Sequence, residues 1–363
     1  MVNAPARWFS RPAARAWTCP PVPRDVAAFH RTLPGYVPTP LAELPPLAAG
    51  LGVRRVFVKD ESSRLGLPAF KILGASWGIY RALCDRYRLP DVPLARLREL
   101  GPVRLVTATD GNHGRAVAAM ARLLGLAADV YVPYGVHPAA VAAIKAEGAG
   151  LTEVPGPYDE AVRLAADVAA SDPSALLVQD TAWPGYERVP QWIVEGYSTL
   201  FTEIDEQLAA VGADPAGLVA VPVGVGSLAQ AAVTHYRSGP ARPTVLSVEP
   251  DAAPCVLASL HHGDRVTVET GSTAMAGLNC ATPSTLAWPV LSSGLDAAVA
   301  ITDADTAQAA KDLSALGISA GPCGAASLAG ARTALAHTTP IPDHIQTIVL
   351  LNTEGRAANP SLP

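Results

Sequence analysis

Eight short runs rich in β-branched and aliphatic residues, at 55–59, 104–109, 129–132, 175–179, 218–223, 244–248, 297–301 and 347–351, alternate along the chain with amphipathic stretches. Alternation of this kind predicts a largely parallel sheet covered by helices on both faces, because parallel neighbours need a long crossover between them. The helices are expected at 72–87, 112–124, 138–147, 159–170, 190–210, 228–237, 303–315 and 323–336. Asp303 suits the start of a helix as a cap, and Gly125 and Gly317 suit the left-handed conformation that closes one. At 363 residues the chain has enough surface to bury for two domains. It contains no internal repeat and no low-complexity linker.

Charge and hydropathy remove several classes of function. A net charge of −5 with no basic cluster argues against a nucleic-acid partner. Mean hydropathy is slightly positive, yet no apolar run approaches the ~20 residues a membrane span needs, so no membrane partner is expected. The first 23 residues carry arginines but are broken by prolines and hold no continuous apolar core, which argues against a secretory leader and for the cytoplasm. Cys19, Cys84, Cys255, Cys280 and Cys323 show no CxxC spacing, and no histidine pairs with His113 at ligand spacing, so no metal is expected. Cys255 and Cys280 flank residues 261–276 and either bridge or stay as thiols; a reducing compartment favours thiols.

The chemistry-bearing residues lie in turns. The segment KDESSRLGLPAFKILGAS, 59–76, sets Lys71 between an apolar turn and a helix start, where an amine can condense with an aldehyde. A lysine after phenylalanine is also an ordinary solvated helix residue. Four further segments follow expected strands: Asp110-Gly111-Asn112-His113-Gly114, Gln179-Asp180-Thr181-Ala182-Trp183, Gly224-Val225-Gly226-Ser227 and Asn352-Thr353-Glu354-Gly355. Open α/β sheets collect ligand-binding groups at that end of their strands. The glycine segment is either a cradle of backbone amides for a phosphate or simply a tight strand-to-helix turn. A dinucleotide is disfavoured, since the third glycine is missing and Glu249 lies beyond the place where a ribose-binding acid is wanted. At 110–114 the glycines keep a helix start open to a carboxylate, with Asn112 able to donate to a phenolic oxygen; an Asp/Asn cap is the alternative. His113 reads as an orienting or packing residue. Asp180 is either a site carboxylate or a cap for the backbone of Thr181 and Trp183.

Lys59-Asp60-Glu61 leading to Phe70-Lys71, the Gly-Asn pair, the glycine turn and the terminal strand motif, in that order, resemble the fold type II pyridoxal-phosphate enzymes, the tryptophan synthase β-like family. Within it the chain is similar to the diaminopropionate ammonia-lyase branch, through 108–115 (ATDGNHGR), 178–183 (VQDTAW) with Gly185-Tyr186, 275–278 (MAGL) and Thr353-Glu354-Gly355. The resemblance covers nearly everything beyond residue 30. It implies an α/β fold of two open, mostly parallel sheets flanked by helices, with a large cofactor-binding domain from 1–73 and 192–363 and a small mobile substrate-binding domain at 74–191. It also implies pyridoxal 5′-phosphate as cofactor and a homodimer.

Carried to this chain, the resemblance implies that Lys71 forms the imine link to the cofactor and that Phe70 and Asn112 contact it. Gly224, Val225, Gly226 and Ser227 then hold its phosphate, and Thr353 or Asn352 faces its pyridine nitrogen. Thr109, Asp110, Gly111, His113 and Asp180 form the substrate side. The chain departs from the branch at Asn352, where serine is common, and at Arg356, where aspartate is common. Related dehydratases usually carry serine before the Gly-Asn pair; Asp110 there favours a substrate with a β-ammonium group, since a buried carboxylate without a partner pays for its desolvation. The expected reaction is elimination of ammonia from 2,3-diaminopropionate to give pyruvate, with Lys71, Asp110 and Asp180 as the proton-handling groups. A β-replacement synthase or serine/threonine dehydratase-like enzyme is the nearer alternative, and a noncatalytic ligand-binding homologue the remote one.

Overall fold

The computed structural model describes residues 7–338 and 341–358. Among them the chain forms strands β1 (Trp8–Ser10), β2 (Leu41–Glu43), β3 (Arg55–Asp60), β4 (Arg104–Ala108), β5 (Ala127–Pro133), β6 (Gly150–Val154), β7 (Ala175–Leu177), β8 (Leu218–Pro222), β9 (Thr244–Pro250), β10 (Ala297–Ile301) and β11 (Thr347–Asn352). Seven join in the order β1-β10-β9-β8-β11-β3-β2, and four in the order β6-β5-β4-β7. Pairing is parallel except at the two edges of the larger sheet, where β1 runs against β10 and β2 against β3. Every strand of the larger sheet lies within 1–73 or 192–363, and every strand of the smaller within 74–191.

Continuous apolar runs make the central strands because both their faces are covered. β8, β10 and β11 are buried at every residue. Val219, Val221, Val349 and Leu351 face one core with Ile193 and Tyr197, while Leu218, Ala220, Ile348 and Leu350 face a second core with Leu328 and Ala331. The period of two thus feeds two layers of helix from one sheet.

All eight expected strands and all eight expected helices are present, with ends moved by one or two residues. β7 stops at Leu177 because Val178 N–H makes the last bond toward β4, to Val106 O, after which Gln179 N–H turns to the Tyr186 hydroxyl. Three strands were not legible: β1 and β2 have three residues each, too few to show a period, and β6 is an edge with exposed polar positions. The short helices Val26–Arg31, Pro45–Leu51, Leu94–Leu97, Cys255–His262 and Ala287–Gly294 escaped for the same reason of length. One expected cap is corrected. Thr302, not Asp303, caps the helix Asp303–Ala315, in a reciprocal pair with Asp305, because the Asp303 carboxylate is engaged by the Thr273 hydroxyl and Ala274 N–H. Gly125 and Gly317 do adopt left-handed φ values of 70° and 85°.

Two features fix the start of helix Ile72–Arg86, and with it Lys71. The helix crosses Arg188–Ala210 at glycines: a Cβ on Gly196 would lie 2.5 Å from Leu73 O, and one on Gly74 would lie 2.4 Å from the Tyr197 ring. Only glycine lets the two backbones touch there. The loop before Lys71 is anchored by a buried charge cluster, in which Lys59 Nζ donates to Glu203 at 2.6 Å and Arg64 bridges Glu61 and Glu203 at 2.6–2.7 Å. Each cation has a carboxylate partner, which burial of this depth requires. Among the described residues no helix is long and apolar enough to cross a membrane.

Candidate active site

Five turns converge at the carboxyl ends of β3, β4, β7, β8 and β11, so residues from both sheets meet in one cleft. Lys71 enters from the β3 side. Phe70 N–H donates to Thr353 O at 3.2 Å and Ala69 bridges Glu354, which lashes the lysine loop to the turn after β11. The Phe70 ring packs on Tyr197, their centroids 4.8 Å apart.

Lys71 Nζ donates to Asp180 Oδ2 at 2.5 Å, with the lysine side chain 25% and the aspartate 8% exposed. Burial opposes charge on both, yet each holds the other ionised: Asp180 raises the lysine pKa above its usual range. For Asp180, burial favours the neutral acid, but His113 and Lys71 bring it down to about 2. Burial lowers His113 as well, so near neutral pH the lysine is the charge that remains. His113 Nε2 lies 2.8 Å from Val178 O and so carries the ring proton; Nδ1, 3.7 Å from Asp180 Oδ2, is buried without a hydrogen-bond partner.

Asp110 follows β4. Burial first, then the charge of Asp180, raises its carboxyl to about 7, and Lys71 offsets only part of this. Next to it the Thr109 hydroxyl accepts from Gly111 N–H at 2.9 Å and Gly114 N–H at 3.0 Å. Among the described residues the N–H groups of Asn112 and His113 have no acceptor, leaving an open helix start. Gly114 permits this packing, since a Cβ there would lie 2.3 Å from Thr109 Cγ2. Asn112 Nδ2 donates to Glu354 Oε2 at 2.6 Å, and Glu354 Oε1 accepts from Cys323 N–H at 3.2 Å. One amide hydrogen of Asn112 remains to donate into the cleft.

After β8 comes the glycine turn. Gly226, at φ 101°, precedes the helix Ser227–Ser238, whose start has no side-chain cap. Among the described residues, Gly226, Ser227 and Leu228 N–H have no acceptor. A Cβ on Gly224 would lie 3.0 Å from Cys280 Sγ and 3.1 Å from Gly277 O, so a larger residue there would have to push these neighbours back by a few tenths of an ångström. Val225 O accepts from Ser284 N–H at 2.8 Å. The Ser227 hydroxyl donates to Asp180 O at 2.9 Å and ties the turn to the Lys71 pair.

At the end of β11, Asn352 and Thr353 diverge. Asn352 Nδ2 donates to Asp60 Oδ1 at 2.8 Å, and its Oδ1 is buried against Gly324. Thr353 is buried beside Phe70. The arrangement fits a phosphorylated pyridine aldehyde. A partly exposed amine reaches into the cleft, an uncapped helix start offers three unpaired amides to an anion, and Asn112 keeps a free donor.

Residues outside the sequence reading also line this region. Glu354 was inside a quoted motif but given no role; its bonds to Asn112 and Cys323 depend on a fold contact 242 residues away in sequence. Tyr158 carried no signal in the pattern, and Cys280 was read only as a flank of residues 261–276. Burial, then Asp110, raises Cys280 to about 12. All five cysteines are free thiols, so Cys255 and Cys280 do not bridge; Cys255 Sγ instead donates to Gly224 O at 3.5 Å.

Comparison with known proteins identifies the family. A family model described as pyridoxal-phosphate dependent enzyme matches residues 32–354. The chain is 40% identical to diaminopropionate ammonia-lyase of Escherichia coli strain K12 over 271 residues, 72% of this chain and 67% of that one. It is 39% identical to diaminopropionate ammonia-lyase of Salmonella typhimurium over 283 residues, 74% of this chain and 70% of that one. The crystal structure of the Escherichia coli diaminopropionate ammonia lyase in complex with an aminoacrylate-PLP azomethine reaction intermediate superposes with a TM-score of 0.87 at 33% identity, covering 96% of this chain and 94% of that one.

Proposed function

The chain belongs to the pyridoxal-phosphate-dependent enzyme family and uses that cofactor for α,β-elimination, and we propose that its substrate is 2,3-diaminopropionate, converted to pyruvate and ammonia. The observation that carries the reading is the 2.5 Å Lys71–Asp180 contact set near Asp110, a carboxyl group with no hydrogen-bond partner among the described residues. Lys71 is the residue that would hold the cofactor covalently, the Gly224–Ser227 turn its phosphate, Asn112 its phenolic oxygen and Thr353 its pyridine nitrogen. Thr353 is preferred because Asn352 is committed to Asp60. When bound, the cofactor supplies an aldehyde that joins the substrate amine and a ring that stabilises negative charge at the α carbon.

The remaining work falls to the protein. The open start of helix Asn112–Leu124 receives the substrate carboxylate on the unpaired amides of Asn112 and His113. Asp110 pairs with the β-ammonium group, which removes the cost of leaving that carboxylate alone in the cleft. For one enantiomer the α proton would go to Asp180 or to Lys71 as the neutral amine, whose ammonium Asp180 then stabilises, and for the other it would go to Asp110. Ser227 couples the phosphate turn to the Asp180 backbone. The same reading makes the enzyme a cytoplasmic homodimer; the free state of all five cysteines supports a reducing compartment.

The test is an absorbance spectrum of the purified holoenzyme before and after 2,3-diaminopropionate, with pyruvate and ammonia measured at the end. A shift of the visible band with stoichiometric pyruvate is expected. A new amino acid in place of pyruvate assigns β-replacement instead, and a band that does not respond overturns both.

A further inference from the structure

Gln179 has both ends of its side chain committed. Its Oε1 accepts from Ala108 N–H at 2.9 Å and from the Thr107 hydroxyl at 3.2 Å. A backbone N–H only donates, so the amide oxygen must face β4 and the NH₂ must face away. That NH₂ donates to the Tyr158 hydroxyl oxygen at 2.7 Å. With its oxygen engaged as an acceptor, the phenol's own proton points elsewhere, and among the described residues it finds no acceptor. Tyr158 opens the helix Tyr158–Ser171 just beyond β6, and Gln179 lies just beyond β7, so the hydroxyl stands at the carboxyl end of the smaller sheet. Its bond to Gln179, the residue before Asp180, places the hydroxyl at that turn, and burial and then the charges of Asp180 and Asp110 keep the phenol protonated.

We propose that Tyr158 is a substrate-binding residue whose O–H donates to an acceptor on the bound amino acid, and that Gln179 is the positioning residue that aims it. The inference rests on the lyase reading and deepens it. A phenol proton cannot serve an ammonium group, so its partner is a carboxylate oxygen or a β-nitrogen that has lost its proton. Asp110 and Tyr158 are then complementary: one accepts from the substrate, the other donates to it.

Tyr158→Phe keeps the ring and removes the hydroxyl, which is both the proposed donor and the acceptor for the Gln179 NH₂. In the holoenzyme, with the visible cofactor band retained, it should raise KM for 2,3-diaminopropionate about tenfold or more, the size of a hydrogen bond to a charged or strongly polar group. β-Chloroalanine, used as alternative substrate or competitive inhibitor, shares the carboxylate but lacks the β-nitrogen. An equal penalty on both compounds identifies the carboxylate, and a penalty confined to the diamino acid identifies the nitrogen. No penalty on either overturns the assignment. Gln179→Glu offers Tyr158 an acceptor and turns its proton away from the cleft, so it should raise KM while the hydroxyl is still present; an unchanged KM there refutes the positioning role. A wild-type enzyme that gives no pyruvate refutes the lyase reading itself, which keeps the two failures apart.

Discussion

Gly196→Ala tests whether the helix crossing positions the catalytic lysine or merely fills space. The added Cβ would lie 2.5 Å from Leu73 O and 2.8 Å from Gly74 Cα, both backbone atoms. No rotamer change relieves such a contact, so the two helices must part by roughly 0.5–1 Å, near the upper end of overpacking costs, about 2–3 kcal/mol. For a chain of this size that corresponds to a fall in Tm of roughly 3–4 °C. Leu73 is two residues from Lys71, so the displacement reaches the amine, and a misplacement approaching 1 Å costs up to ~100-fold in rate. The expected outcome is a lower Tm by calorimetry together with a loss of about 10- to 100-fold in kcat/KM for pyruvate formation at 25 °C. Gly50→Ala is the control: nothing lies within 4 Å of its Cβ, and an alanine in that helix should be neutral or stabilise by up to ~1 kcal/mol. If Gly196→Ala lowers Tm but leaves kcat/KM intact, the crossing stabilises the fold without setting Lys71, and the positioning argument fails.

Much of the architecture was legible because parallel strands buried on both faces leave long apolar runs, as in β8 and β11, and because the chemistry-bearing turns follow them. What could not be read were elements too short to show a period, such as β1 and β2, and the competition of side chains for partners. Asp303 is a sound cap by residue type, but Thr273 and Ala274 occupy its carboxylate and the role passes to Thr302. The site shows the same division. Lys71, Asp110 and Asp180 stand out through residue type and position after a strand. Glu354 and Tyr158 become visible only when the chain brings Asn112 to the first and Gln179 to the second. Local sequence therefore names the groups that must be charged or nucleophilic, whereas their orienting partners are properties of the tertiary hydrogen-bond network.

The remaining predictions concern that network. Lys71→Ala should abolish the visible band of the bound cofactor and pyruvate formation; a variant that keeps the band removes Lys71 from its covalent role. Ser227→Ala deletes the bond to Asp180 O, and should weaken cofactor retention in equilibrium dialysis severalfold while leaving Tm nearly unchanged; a Tm loss without weaker retention would make that bond purely structural. Asp110 should impose a pH limb. Its carboxyl, raised to about 7 mainly by burial and then by Asp180, is neutral below that pH and charged above it, so whichever enantiomer depends on the charged form reacts faster as pH rises. Because kcat/KM reports the free enzyme, its limb should lie near 7. A bound β-ammonium stabilises the carboxylate, so the limb in kcat should move to lower pH. Asp110→Asn removes the titrating group and should flatten both limbs, and the same limbs in the variant would assign them to a different residue.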